Sequence, residues 1–266
     1  MSKTITMKFG GTSVGSVEAI KNVVEIVRRE HEQGNRVAVV VSAMSGETDS
    51  LISMIEMAQV GDKWGYLSTS RKIRDRHEET INILMTPSSD RDHVLQTVHK
   101  LVESLVDLCD AINILGEVTP RIMDAIVSFG ERLSSQQIAA ILRHNGIDAQ
   151  AFDAGQLILT NDTHQNASPQ WEETQHNIES KVLPKLDEGV VPVITGFIGN
   201  TADGHYTTLG RGGSDYSAAI FAAYLQSDAF IIWTDVDGVM TTDPRVDKRA
   251  RVLPYISYQE VGELAF

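Results

Sequence analysis

The chain has 266 residues, with 36 acidic against 23 basic side chains and a net charge of −13. That length suits one large α/β domain or two tightly joined lobes, and it can bury a core without disulfides or structural metals. The acidic balance argues against nucleic acid or an anionic membrane as partner, so an anionic ligand must be met by basic groups and backbone N–H donors gathered locally.

Ile5-Thr6-Met7-Lys8-Phe9 reads as a strand from the very start, which leaves no room for a signal peptide. The strand near Thr4–Phe9 meets Gly10-Gly11-Thr12-Ser13. A helix is expected from about Val17 to Gln33, with Ser16 as N-cap and Gly34 just past its end. Val17, Ile20, Val24 and Val27 supply its apolar spacing. Val37–Val41 is a continuous apolar run, as in a parallel strand buried on both faces, and completes a right-handed βαβ unit.

From about Asp49 to Asn145 the pattern is almost wholly helical. Val94, Val98, Leu101, Val102, Leu105 and Ile112 form one stripe ended by Gly116, and Thr119-Pro120 starts another helix. Cys109 is the only cysteine, which rules out a disulfide within the chain and fits a cytoplasmic protein. No segment approaches the roughly 20 apolar residues of a membrane span.

Strands return at Val190–Phe197 and Phe230–Thr234, with Gly210-Arg211-Gly212-Gly213-Ser214-Asp215 opening a helix to about Leu225 between them. Thr241–Phe266 is turn-rich and then helical. The expected fold is α/β: a mainly parallel central sheet with helices on both faces and an inserted helical lobe at about 49–145. In such sheets ligands bind at the carboxyl ends of strands, where the glycine-rich turns are expected.

Three turns could carry chemistry. Gly10 and Gly11 would let a backbone approach a phosphate, and Lys8 could neutralise charge on a transferring phosphoryl group; alternatively this is a tight turn beside a solvated lysine. Arg211, flanked by glycines, could grip a carboxylate in bidentate fashion. Ser214 could cap the next helix or touch a ligand, and Asp215 could be a functional acid or simply an acid favoured at a helix start. Thr234-Asp235-Val236-Asp237-Gly238 with Asp243-Pro244-Arg245 is either a surface turn or a nucleotide loop. There is no Walker lysine loop, no G-x-G-x-x-G, no metal-spaced Cys or His pair and no G-x-S-x-G elbow. The eight histidines, scattered through polar helical stretches, read as surface residues.

Together the turns resemble the amino-acid kinase family and, within it, the aspartate kinases. The likeness covers essentially the whole chain. Its strongest pieces are Lys8-Phe9-Gly10-Gly11-Thr12-Ser13-Val14, Thr207-Thr208-Leu209-Gly210-Arg211-Gly212-Gly213-Ser214-Asp215 and Trp233-Thr234-Asp235-Val236. Weaker pieces are Ser42–Gly46, Phe129-Gly130-Glu131, Thr160-Asn161-Asp162 and Thr195–Gly199.

The resemblance implies transfer of the γ-phosphoryl group of MgATP to the side-chain carboxylate of L-aspartate. The product is 4-phospho-L-aspartate, the first step towards lysine, threonine and methionine. Lys8 and Asp215 would be catalytic. Ser42, Thr48, Glu131, Arg211 and Ser214 would hold the substrate, with Glu131 facing its ammonium. Gly10, Gly11, Ser13, Thr234, Asp235, Met240 and Arg245 would meet the nucleotide, whose portion would be about 205–266. No protein metal site is implied, since Mg2+ would be held by ATP oxygens and water. A homodimer is compatible with the family. Met240 stands where the family usually has tyrosine, and Asp49 where asparagine is common. The chain stops before a glycine-alanine-lysine segment and small regulatory domains that the family normally carries, so reduced activity is expected of it. The alternatives are a sibling such as N-acetylglutamate kinase, and a module that binds ligand but turns over poorly. An acetylated amine would not need Glu131.

Overall fold

Five parallel strands form the centre of the first part of the chain: β1 (Thr4–Phe9), β2 (Arg36–Val41), β3 (Ala149–Phe152), β4 (Val191–Thr195) and the strand Ala229–Trp233. The spatial order is β3-β4-β2-β1 and then Ala229–Trp233. This computed structural model describes residues 2–264. It divides into two compact units, Met1–Trp233 and Thr234–Phe266.

All six residues of β1 are buried, because it is paired on both edges and covered on both faces. The two-residue period of the strands sorts their side chains between two cores. Val37, Val39, Val41, Val191 and Val193 enter one core with α1 (Val17–Glu32) and the helices α2 (Glu47–Gln59), α3 (Lys63–Leu84), α4 (Ser89–Leu115), α5 (Pro120–Val127) and α6 (Phe129–His144). Ala38, Val40 and Ile194 enter the other with α7 (Trp171–Lys181), α8 (Leu183–Asp187) and α9 (Gly213–Tyr224). The helical lobe α2–α6 is therefore continuous with one face of the sheet.

The capping signals hold. Ser16 accepts the Ala19 N–H, Thr119 accepts the Ile122 N–H ahead of Pro120, and Gly116 closes α4 in the left-handed region. Three features differ from expectation. β3 was not anticipated; it is four residues long at the sheet edge. A two-stranded antiparallel sheet, β5 (Ile198–Asn200) with β6 (Tyr206–Thr208), was also not anticipated. The predicted strand to Phe197 stops at Thr195, and Phe197 adopts φ 71°. The second glycine-rich turn therefore leaves β6, not a strand of the parallel sheet. The final strand of the first unit, Ala229–Trp233, is β7. Residues 205–233 lie in the first unit.

The second unit is turn-rich. Met240 forms a bridge with Val252, and α10 (Tyr258–Leu264) begins at a capping box in which Ser257 and Glu260 bond reciprocally. Among the described residues no helix is long and apolar enough to cross a membrane.

The reading of all histidines as surface residues fails at His77, which is fully buried on α3 and hydrogen-bonded to Glu47 and Gln137. His164 is also engaged, with its Nδ1 2.8 Å from the buried Asp124 carboxylate.

Candidate active site

A cleft of about 460 Å3 opens at the carboxyl ends of β1 and β2. It brings together Lys8, Gly11, Ser42, Thr48, Glu131, Arg211, Ser214 and Asp215, which lie far apart in sequence. Gly10 and Ser13 are not in its lining. The Gly10 N–H and the Ser13 hydroxyl both donate to the Trp233 carbonyl, which fastens the first turn to β7.

Lys8 sits on β1, between β2 and β7, and is buried, at 8% exposure. Its Nζ lies 2.7 Å from Asp215 Oδ1. The Asp215 side chain is 50% exposed, so the pair is closed on the lysine side and open on the aspartate side. Asp215 belongs to the first turn of α9, where the helix dipole favours an anion.

Two helices begin at this cleft, α2 at Gly46 and α9 at Gly212. Both glycines are left-handed, and no side chain caps either helix. The first-turn N–H groups of an uncapped helix are donors without intrahelical partners, and they favour anions. Lys8, Arg211 and the two helix starts bring positive potential to a cleft whose lining also includes Asp49, Glu131 and Asp215.

Glu131 supplies an acidic group to the same cleft. It lies in the first turn of α6 at 4% exposure. Its Oε1 accepts the Ala43 N–H at 3.1 Å, while its buried Oε2 has no hydrogen-bond partner. Burial pushes the Glu131 carboxyl up to about 8, against the pull of the Ala43 and Glu131 N–H groups. Nearby Glu47 raises it further and Lys8 lowers it. A buried, unpartnered carboxylate oxygen at a cleft is costly unless a donor arrives from outside. Gly130 makes the contact possible: a Cβ there would lie 2.6 Å from the Ala43 Cβ. Gly11 likewise lets the first turn approach the next loop, where a Cβ would lie 2.9 Å from the Ala43 carbonyl oxygen.

Arg211 is exposed at the cleft between the two left-handed glycines Gly210 and Gly212. Asp124, wholly buried, stiffens the approach to this turn by accepting from Thr208 Oγ1 at 2.7 Å, the Gln165 N–H at 2.9 Å and His164. Phe197 also lines the cleft. Its left-handed backbone is held by donation from its N–H to Ser217 Oγ and acceptance from the Leu209 N–H. Sequence reasoning missed Asp124, which belongs to no glycine-rich turn, and gave Phe197 no role of its own although it lies in the Thr195–Gly199 segment.

Thr234, Asp235, Met240 and Arg245 belong to the second unit. There the Arg245 guanidinium is exposed and doubly bonded to the Asp243 carboxylate.

The residues present fit Mg2+ through one half-exposed carboxylate, that of Asp215. Among the described residues no group of three or more His, Cys, Asp or Glu could hold a metal by themselves. Asp215 is half exposed and gives only Oδ1 to Lys8, so its other oxygen is free for an ion or its water.

A parallel α/β sheet with a cleft at its strand ends, a buried cation on β1 and a buried acidic group in the same cleft defines a class of enzyme that brings two charged small molecules together. The chain belongs to the amino acid kinase family, whose model matches residues 3–266. It is 35% identical over 265 residues to the lysine-sensitive aspartokinase 3 of Escherichia coli strain K12, covering 100% of this chain and 56% of that protein. It is 36% identical to a chloroplastic bifunctional aspartokinase/homoserine dehydrogenase 1 of Arabidopsis thaliana, covering 97% of this chain and 28% of that protein. The crystal structure of E. coli aspartokinase III in complex with aspartate and ADP matches 99% of this chain and 56% of that chain, with a TM-score of 0.87 and 34% identity. The chain therefore spans about half or less of the length of these relatives.

Proposed function

We propose that the protein transfers the γ-phosphoryl group of MgATP to the side-chain carboxylate of L-aspartate, giving 4-phospho-L-aspartate and ADP. The observation that carries this reading is the pairing in one cleft of exposed Arg211 with buried Glu131, whose Oε2 lacks a partner. A ligand with both a carboxylate and an ammonium answers both groups. An N-acylated amino acid would leave the Glu131 oxygen without an ammonium, which disfavours N-acetylglutamate.

In this reading Arg211 and Ser214 take the α-carboxylate and Glu131 takes the ammonium. Ser42 and Thr48 fix the remaining freedom. The side-chain carboxylate is then held towards Lys8. An aspartate carboxyl group has an ordinary pKa near ~3.9, so the nucleophile is already ionised at neutral pH and no general base is needed. One of its oxygens forms a bond to the γ-phosphorus as the bond to the ADP oxygen breaks, and no proton moves. Lys8 stabilises charge on the transferring oxygens, and Asp215 holds the lysine in place. Mg2+, when bound, supplies charge neutralisation on the nucleotide phosphates, and the free oxygen of Asp215 would hold it or its water. Gly10, Gly11 and Ser13 on the phosphate side, and Thr234, Asp235, Met240 and Arg245 on the nucleotide, are assigned by resemblance. A cytoplasmic setting suits a reaction that draws on ATP.

Hydroxylamine trapping tests the activity. Aspartyl hydroxamate should accumulate only when protein, aspartate and MgATP are all present. Equal product without aspartate, or none with it, would overturn the assignment.

A further inference from the structure

Arg76 and His77 are consecutive residues on α3, and neither lines the cleft. Both nevertheless hold its walls. Arg76 Nη1 donates to the Ser45 carbonyl at 2.8 Å and Nη2 to the Gly15 carbonyl at 2.7 Å. One guanidinium therefore ties the loop after β2 to the loop after β1. His77 Nε2 lies 3.1 and 3.2 Å from the two carboxylate oxygens of Glu47, and its Nδ1 lies 2.6 Å from Gln137 Oε1. The three side chains are 0%, 2% and 1% exposed.

The placement of this trio is what gives it meaning. Glu47 is the first residue of α2, between Gly46 and Thr48, both of which line the cleft. Gln137 is on α6, the helix that carries Glu131. His77 thus joins the start of α2 to α6, and Glu131 in turn accepts from Ala43 in the loop ahead of α2. A buried ion pair is weak evidence for stability, since well-packed apolar side chains often do as well. Polar groups in a core do, however, select one arrangement over others that pack equally well.

We propose that His77, assisted by Arg76, is a positioning residue that fixes the Ala43–Thr48 wall of the cleft against Glu131 and so sets the affinity for the amino-acid substrate. This rests on the reading of the cleft as the aspartate site. Neither residue touches substrate. They act through the main chain that presents Ser42, Thr48 and the N-terminus of α2.

The test compares His77→Leu with His77→Gln, whose amide can still donate to Glu47. In His77→Leu the KM for aspartate should rise about tenfold while that for ATP stays within about twofold, and His77→Gln should restore most of the loss. Hydrogen exchange without substrate provides a second readout. The Ser45, Glu47 and Ser50 amides, bonded to Gly11, Met44 and Gly46, should exchange about tenfold faster in His77→Leu than in His77→Gln. If His77→Leu does not fold, Arg76→Ala at a half-buried position takes its place, with faster Ser45 exchange and a raised aspartate KM expected. Unchanged exchange in a folded variant, or equal shifts in both KM values, overturns the proposal. If the unsubstituted protein does not turn over aspartate, the substrate reading fails, while the exchange comparison still decides the positioning role.

Discussion

Glu131 combines two properties that oppose each other: a carboxylate has been taken out of water, and one of its oxygens has been left without a donor. With its pKa pushed up to about 8, it is mostly protonated at neutral pH in the free protein. An ammonium arriving beside it would favour the charged form, so aspartate binding at pH 7 should release close to one proton. Calorimetry in buffers of different ionisation enthalpy measures this, and Glu131→Gln should abolish it. The sign for stability follows from the same shift. The folded-state pKa lies above the ordinary carboxylate value, so the stabilising contribution is fully present in acid and is lost as pH rises through about 8. His77 adds to this slope: burial lowers its pKa, but Glu47 and Gln137 raise it by more, and its contribution is also lost at high pH. At Lys8 the expectation is kinetic. Lys8→Ala should lower kcat by ~10²–10³ while aspartate affinity changes little, because the ammonium acts on charge that develops during transfer. An unchanged kcat in steady-state assays would remove Lys8 from the mechanism.

The elements around the cleft depend on close backbone approach. Gly130 lets the first turn of α6 rest against Ala43, and the Glu131–Ala43 hydrogen bond depends on that approach. Gly130→Ala should destabilise the fold by roughly 1–3 kcal/mol, as overpacking does, and weaken aspartate more than ATP. Chemical denaturation and paired KM measurements check this, and a variant with wild-type stability would show that the contact is looser than described. Elements with a long period or a clear cap were legible from sequence. The stripe of α4 and the caps of α1 and α5 are examples. β3 was missed because its four residues, Ala-Gln-Ala-Phe, carry only a short, weakly apolar pattern. The hairpin strands β5 and β6 are three residues each, too short for alternation to register. His77 had a usable signal: it falls on the same helical face as Tyr66, Ser70, Ile73, Thr80 and Ile81, all buried.

Across the whole molecule, the net charge of −13 would repel both ATP and aspartate at a distance. The fold answers locally, with two uncapped helix starts, Lys8 and Arg211 at one cleft. The glycine-rich turns revealed most of this arrangement in sequence, because Lys8, Arg211, Ser214 and Asp215 lie within them. The support behind those turns was harder to read, since Asp124, Arg76 and His77 act across 30 to 84 residues along the chain. The proposed reaction turns on one step, attack of the side-chain carboxylate of aspartate on phosphorus. Phosphorus-31 NMR of the acyl phosphate formed from aspartate labelled with oxygen-18 in one carboxyl group tests it directly. Label in the side-chain carboxyl should give an isotope-shifted acyl-phosphate resonance, and label in the α-carboxyl should not. A shift from the α-carboxyl alone, or no acyl phosphate at all, would contradict the assignment of Arg211 and Glu131 to the backbone end of the substrate and of Lys8 to its reacting end.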